Sequence, residues 1–247
     1  MKNNEYKMLS GLDLVMMEFP EEKFIVQDLV PKGLVILNSD VMEPARSLAM
    51  DMSLRVIKGD RLWKMDTKQG AVLYMIHHHT LATARNLIME MTVRIPDELY
   101  VGVMTEISLE LALTGVKSFV KDRSNVSLVV IEMSGMVEQY EDAVYVSGNT
   151  IQQYIALREL AMEQGIAIVV ILCSDSVPVV HGKKTDDEDM VCITDKADGH
   201  IDMCILDAED RQAVLRVDIP PMTPRLWSIE LDEKSQRWVE ENANDRP

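Results

Sequence analysis

Between residues 34 and 54 the chain reads LVILNSDVMEPARSLAMDMSL, and the chemistry this layout could carry is phosphate binding. An apolar run passes through a short polar break into helical apolar spacing, the arrangement of a phosphate-binding loop of the form G-x-x-x-x-G-K-[ST]. In such a loop glycines let successive backbone N–H groups converge on phosphate, and the lysine adds positive charge. Here Ser39 stands at the first glycine position, Pro44 at the second, Ala45 at the lysine position and Arg46 at the Ser/Thr position, with Ser47 following. Pro44 has no N–H to give. Ser39 tolerates fewer backbone conformations than glycine, and Arg46 is turned about 100° around the helix from the lysine direction. Asp40 and Glu43 bring negative charge to the same place. Two lost charge-assisted contacts at roughly 1.5–3 kcal/mol each amount to about 3–6 kcal/mol. At about 1.4 kcal/mol per decade, a micromolar nucleotide affinity would fall toward millimolar or weaker. The same residues make a favourable helix start, because proline suits the first turn and carboxylates suit its positive end.

Other reactive residue types carry weaker signals. His77, His78 and His79 are consecutive, but alternation at a strand end points neighbouring side chains apart. A solvent-edge cluster is the simpler reading. A metal reading needs His77 and His79 on one face, with Asp175 or Glu132 completing the set. Glu132 closes an apolar run, either as its polar end or as a magnesium ligand. Cys173, Cys192 and Cys204 are odd in number and lack C-x-x-C spacing, so neither a disulfide framework nor a zinc site is expected. Cys173 reads as a small buried residue, with no partnered base in the sequence. Ser134-Gly135 lacks the Gly-x-Ser-x-Gly elbow of a hydrolase. No metal site is expected.

Composition bounds the class. The 247 residues are enough for one large α/β domain with a substantial core. The apolar share of 47% and the charged share of 27% suit a globular chain. Eighteen methionines against three phenylalanines point to a core filled by flexible side chains. The net charge of −16, with no basic run, argues against a general nucleic-acid surface. Acidic stretches such as Asp186–Asp189 read as solvated surface. The first 22 residues lack the apolar run of a signal peptide, and no stretch suggests a membrane span. A reducing, cytoplasmic setting is expected.

Strand-like runs alternate with helical patterns through most of the chain. Strands are expected at 33–37, 71–76, 99–104, 127–131 and 166–172, and helices at about 44–57, 81–91, 108–121 and 150–164. The runs SLVVI and IAIVVIL have the unbroken β-branched character of central parallel strands. Residues 138–147 and 174–198 read as loops. Short antiparallel strands are expected at 200–206, 213–219, 226–231 and 237–240, with a hairpin turn at 232–235. Repeated βα units imply a parallel sheet between helix layers with an antiparallel extension. Residues 1–18 form an expected N-terminal arm, and 19–247 one domain.

Taken in order, these stretches resemble the RecA-like P-loop ATPases (AAA-type) of the plasmid and phage replication kind, the group that includes hexameric plasmid-replication helicases. The resemblance covers about residues 18–240. It rests on FIVQDLVPKGLVIL at 24–37, LAMDMSLRV at 48–56, AVLYMIHHHT at 71–80, LVVIEMSG at 128–135, RELAMEQGIAIVVILCSD at 158–175, Gly199-His200-Ile201-Asp202, and SIELDEKSQRWVE at 228–240. It implies an α/β RecA-like three-layer sandwich and an assembly that is a homo-oligomer, or a hetero-oligomer with related ATPase subunits, in a DNA replication or mobile-element setting. The departures fall on positions that the family uses for catalysis. His78 and His79 replace the acidic residue after the second strand and its neighbour, Glu132 stands at the Walker B aspartate, and Cys173-Ser174 replace a histidine pair. Ser39, Asp40, Glu43, Pro44, Ala45, Arg46 and Ser47 are the remnant of the nucleotide loop. The expectation is a pseudoenzyme with degenerate Walker motifs and no cofactor, acting as an assembly or binding subunit. The alternative is an ATP hydrolase using Glu132 for magnesium and Arg46 for phosphate.

Overall fold

The two most apolar runs form strands that are buried along their lengths, and they sit side by side at the centre of a computed structural model. The structure describes residues 8–17, 23–77, 80–106, 108–134, 138–140, 143–173, 190–207, 211–232 and 237–241. Its strands are β1 (Phe24–Val26), β2 (Val30–Pro31), β3 (Gly33–Ser39), β4 (Ala71–His77), β5 (Leu99–Met104), β6 (Val126–Ser134), β7 (Glu138–Tyr140), β8 (Ala143–Ser147), β9 (Ala167–Cys173), β10 (Met190–Cys192), β11 (Gly199–Asp207), β12 (Gln212–Asp218), β13 (Arg225–Asp232) and β14 (Arg237–Glu240). The helices are α1 (Gly11–Met16), α2 (Met42–Lys58), α3 (Leu81–Met91), α4 (Leu109–Lys121) and α5 (Gly148–Gln164).

Nine strands join in the order β14-β13-β12-β11-β3-β9-β6-β4-β5. From β11 to β5 every neighbouring pair is parallel. From β11 to β14 the pairs are antiparallel. The fold is therefore α/β, with a mostly parallel central sheet and an antiparallel C-terminal extension.

Side-chain alternation divides the core. On β6, Leu128 and Val130 face one cluster with α2 and Ile88 of α3, while Val129 and Ile131 face the other with residues of α4 and α5. That gives three layers, with the sheet in the middle. Residues buried on both faces explain why β6 and β9 read as continuous apolar runs instead of alternating ones.

The ends of these elements have local causes. Gly59 closes α2 at φ 69°, and its N–H reaches the carbonyls of Arg55 and Val56, the left-handed cap that glycine adopts without strain. At the start of β3, Asp198 occupies the space a side chain on Gly33 would need. Its Oδ2 accepts the Leu34 N–H at 3.0 Å, and Arg158 grips both oxygens at 2.9 and 2.7 Å.

Some sequence expectations need correction. Residues 138–147, read as a loop, contain β7 and β8, which pair antiparallel, and β10 joins β8. The polar stretch 174–198 is not all loop, since β10 and a short 3-10 turn (Thr194–Lys196) fall within it; residues 174–189 lie outside the described ones. β11 is not wholly antiparallel, because it also pairs in parallel with β3. The turn expected at 232–235 lies largely outside the described residues, although β13 and β14 flank it as an antiparallel pair. No helix among the described residues is long and apolar enough to cross a membrane.

Candidate functional site

The segment Ser39–Ser47 lies where an open parallel sheet offers its crevice, at the carboxyl ends of β3, β6 and β9 beside the start of α2. Its backbone is the first finding. β3 runs to Ser39 and α2 begins at Met42, so only Asp40 and Val41 connect them. Glu43, Pro44, Ala45, Arg46 and Ser47 are already helical. They have helical geometry, where a phosphate cradle needs an open loop ahead of the helix. Pro44 is the third helical residue and not the first. It still falls in the opening turn, where a missing N–H leaves no intrahelical bond unmade.

The two-residue link is braced from within. The Ser39 hydroxyl donates to the Val41 carbonyl at 2.9 Å and accepts the Val41 N–H at 3.3 Å. Cys173 is buried and places its Sγ 3.5 Å from the Asp40 carbonyl, as expected of a small core residue. Ala45 is buried, while Asp40 and Glu43 face solvent.

Arg46 and Glu132 then meet across the space between α2 and β6. Arg46 Nε donates to Glu132 Oε1 at 2.8 Å and Nη2 donates to Oε2 at 3.0 Å. The Glu132 side chain is 3% exposed and that of Arg46 15%, so this bidentate pair is largely removed from water. Glu43 adds a looser contact, 4.0 Å from Arg46 Nη1. Tyr74 of β4 is buried beside them, its hydroxyl 3.5 Å from the Arg46 carbonyl. Burial pushes the Tyr74 phenol well above its ordinary range, and the Glu132 charge pushes it the same way. Burial lowers the Arg46 pKa, but the hydrogen bond and charge of Glu132 outweigh it and raise it on balance. Both charges of the cluster are thus satisfied by each other.

A second polar group sits on the opposite sheet face. Asn38 Nδ2 donates to Asp202 Oδ1 at 3.2 Å, across the β3–β11 pairing that sets the two residues side by side. His200 Nε2 lies 3.0 Å from the same oxygen, at ion-pair distance but without hydrogen-bond alignment. Sequence reading noted His200 and Asp202 only as part of a late strand and did not connect them to Asn38.

Alternation removes Glu132 from the metal reading. Glu132 shares the α2 face with Val130, while His77 shares the other face with Leu73 and Met75, so the two cannot bind one ion. His78, His79, Ser174 and Asp175 lie outside the described residues. No group of three His, Cys, Asp or Glu converges among the described residues.

Tyr154 of α5 is buried, and its hydroxyl has no partner among the described residues. Burial raises its pKa. A phenol whose pKa is raised by folding adds stability that is full below its unfolded pKa of about 10 and is lost as pH climbs past it. Tyr154→Phe is expected to leave stability at pH 7 unchanged or higher by up to about 1 kcal/mol, since it deletes an unsatisfied hydroxyl. It is also expected to shrink the loss of stability at about pH 11. Urea midpoints at the two pH values check both.

The sheet order, the helix layers and the crevice define a RecA-like α/β scaffold. Among solved structures the chain is similar to the RadB recombinase, with a TM-score of 0.57 and 14% identity over 87% of this chain and 93% of that one. It is also similar to a KaiC-like protein from the hyperthermophilic archaeon Pyrococcus horikoshii, with a TM-score of 0.52 and 10% identity over 90% and 96% of the two chains. A DnaB-like replicative helicase gives a TM-score of 0.50 at 9% identity, covering 85% of this chain and 59% of its own. No family model and no curated protein matches the sequence. At these identities the likeness is one of fold.

Proposed function

We propose that this protein is a RecA-fold subunit that has given up nucleotide chemistry and acts in assembly or binding, with itself or with related ATPase subunits. The observation that carries the reading is the bidentate Arg46–Glu132 pair. The carboxylate at the Walker B position is held by a guanidinium from the helix that should cradle phosphate. Magnesium could take Glu132 only by displacing Arg46 and leaving a cation partly buried and unpaired. A phosphate at the start of α2 would also meet Glu43 and the missing N–H of Pro44. The named likenesses to a recombinase and a replicative helicase support a setting in DNA replication or recombination.

Thermal melting in the presence of Mg-ATP tests this. Any ligand that binds the folded state raises the midpoint by mass action. The expected result is no shift up to about 1 mM nucleotide; a rise of several degrees at sub-millimolar nucleotide overturns the proposal. Phosphate release that disappears in Glu132→Gln would instead establish the hydrolase reading.

A further inference from the structure

At the far end of α2 from the remnant loop lies a cleft of about 460 Å³ that nothing in the proposed function uses. Its lining includes Arg55 from the last turn of α2, Arg61, Trp63 and Lys64 from the following turn, and Arg237 and Trp238 from the edge strand β14. Four cations and the Trp63 indole thus line one cleft on a chain whose net charge is −16.

Each of the cations has a carboxylate companion. Arg55 Nε and Arg237 Nε share one oxygen of the buried Asp51 at 3.4 and 3.5 Å, and its other oxygen has no partner among the described residues. Arg61 pairs with Asp66, and Lys64 with Glu240. Arg61, Asp66 and Lys64 are more than two-thirds exposed, so these pairs contribute little and can exchange one carboxylate for another at small cost.

Trp63 is held in place at some expense. Its φ of 55° is left-handed, a conformation that strains a bulky side chain by roughly 1–3 kcal/mol. Its Nε1–H donates to the Trp238 carbonyl at 2.8 Å, and its ring packs on the core. The indole therefore forms a fixed wall of the cleft and covers part of the β14 edge.

We propose that this cleft is a docking site for an acidic peptide segment of a partner protein, with carboxylates on Arg61, Lys64 and Arg237 and an apolar residue against Trp63. Tryptophan and arginine are the residue types enriched at protein-binding hot spots. The local charge favours a peptide over a polynucleotide. Four cations stand against the carboxylates of Asp51, Asp66 and Glu240, a balance that suits one or two added charges and not a run of phosphates. The acidic remainder of the chain repels a long polyanion from a distance. The proposal stands apart from the nucleotide question, because the cleft shares no residue with the site at the start of α2.

Fluorescence anisotropy of a dye-labelled nonapeptide with two Asp residues flanking a central Leu in an otherwise Gly/Ser sequence tests it, with an oligothymidylate of similar length as a second probe. Saturable peptide binding is expected, weakening from about 50 mM to about 0.5 M salt. It should weaken at least about tenfold in the double variant Arg61→Glu, Lys64→Glu, whose sites are exposed and whose melting temperature should not move. Trp63→Gly, which accepts the positive φ, should also weaken it. Absence of saturable binding, equal binding by the double variant, or tighter binding of the oligothymidylate overturns the proposal.

Discussion

Replacing Arg46 with alanine is expected to destabilise the protein by about 3–5 kcal/mol, the range for removing one member of a buried ion pair. The reason is what it leaves behind. Glu132 is 3% exposed, and both of its oxygens take their hydrogen bonds from Arg46. Without that guanidinium a carboxylate would stay in a site walled by Tyr74 and the core of β6 and β9, or would have to bind a proton to remain there. Replacing both partners together, Arg46→Met with Glu132→Leu, should return stability to within about 1–2 kcal/mol of the parent, because an apolar pair of similar volume escapes desolvation. Chemical denaturation of the parent, both single variants and the double variant yields the coupling between them. If Arg46→Ala costs less than about 0.5 kcal/mol, as for an ordinary surface residue, the pair is not the closed unit described here.

The second large effect lies at Gly33. Its φ of 111° is foreign to residues with a Cβ, and Asp198 fills the space into which a Cβ would project. Gly33→Ala must displace that carboxylate, and with it the acceptor of the Leu34 N–H and the anchor of Arg158. A loss of roughly 3 kcal/mol or more is expected, from backbone strain together with an unsatisfied amide. Gly165→Ala provides the control. Gly165 also has a positive φ, of 66°, but nothing lies within 4 Å of the added carbon, so only the left-handed term of about 1–2 kcal/mol applies. Thermal melts of the two variants separate conformational strain from collision, and equal losses would contradict the role assigned to Asp198.

Much of the fold was legible because apolar continuity is a local signal. Strands β3, β4, β6 and β9 announced themselves through unbroken aliphatic runs, and the helices through spacing. β7 and β8 did not, since EQY is mostly polar and the apolar run AVYV is only four residues long, and β10, which pairs with β8, lies far along the chain. The loop substitutions were readable one by one, yet their joint result was not. That α2 starts at Met42 depends on packing of the whole helix against β3 and β6. The meeting of Arg46 with Glu132 spans 86 positions, and neither residue type announces the other. Trp238 of β14 is buried. The turn that presses Trp63 against its carbonyl has no sequence signature, because tryptophan is not a residue one expects at a positive φ.

The early start of α2 also bears on whether nucleotide chemistry could be built into this chain. A lysine at position 45 would project from a turn of helix already closed, with no open backbone ahead of it to share an anion. Glycine at position 44 would loosen that turn while Arg46 still clasped Glu132. Each reversal alone weakens what now holds without supplying what is missing, so recovery demands several simultaneous changes. On the proposed reading the geometry works as a ratchet, easy to enter by small steps and hard to leave by them.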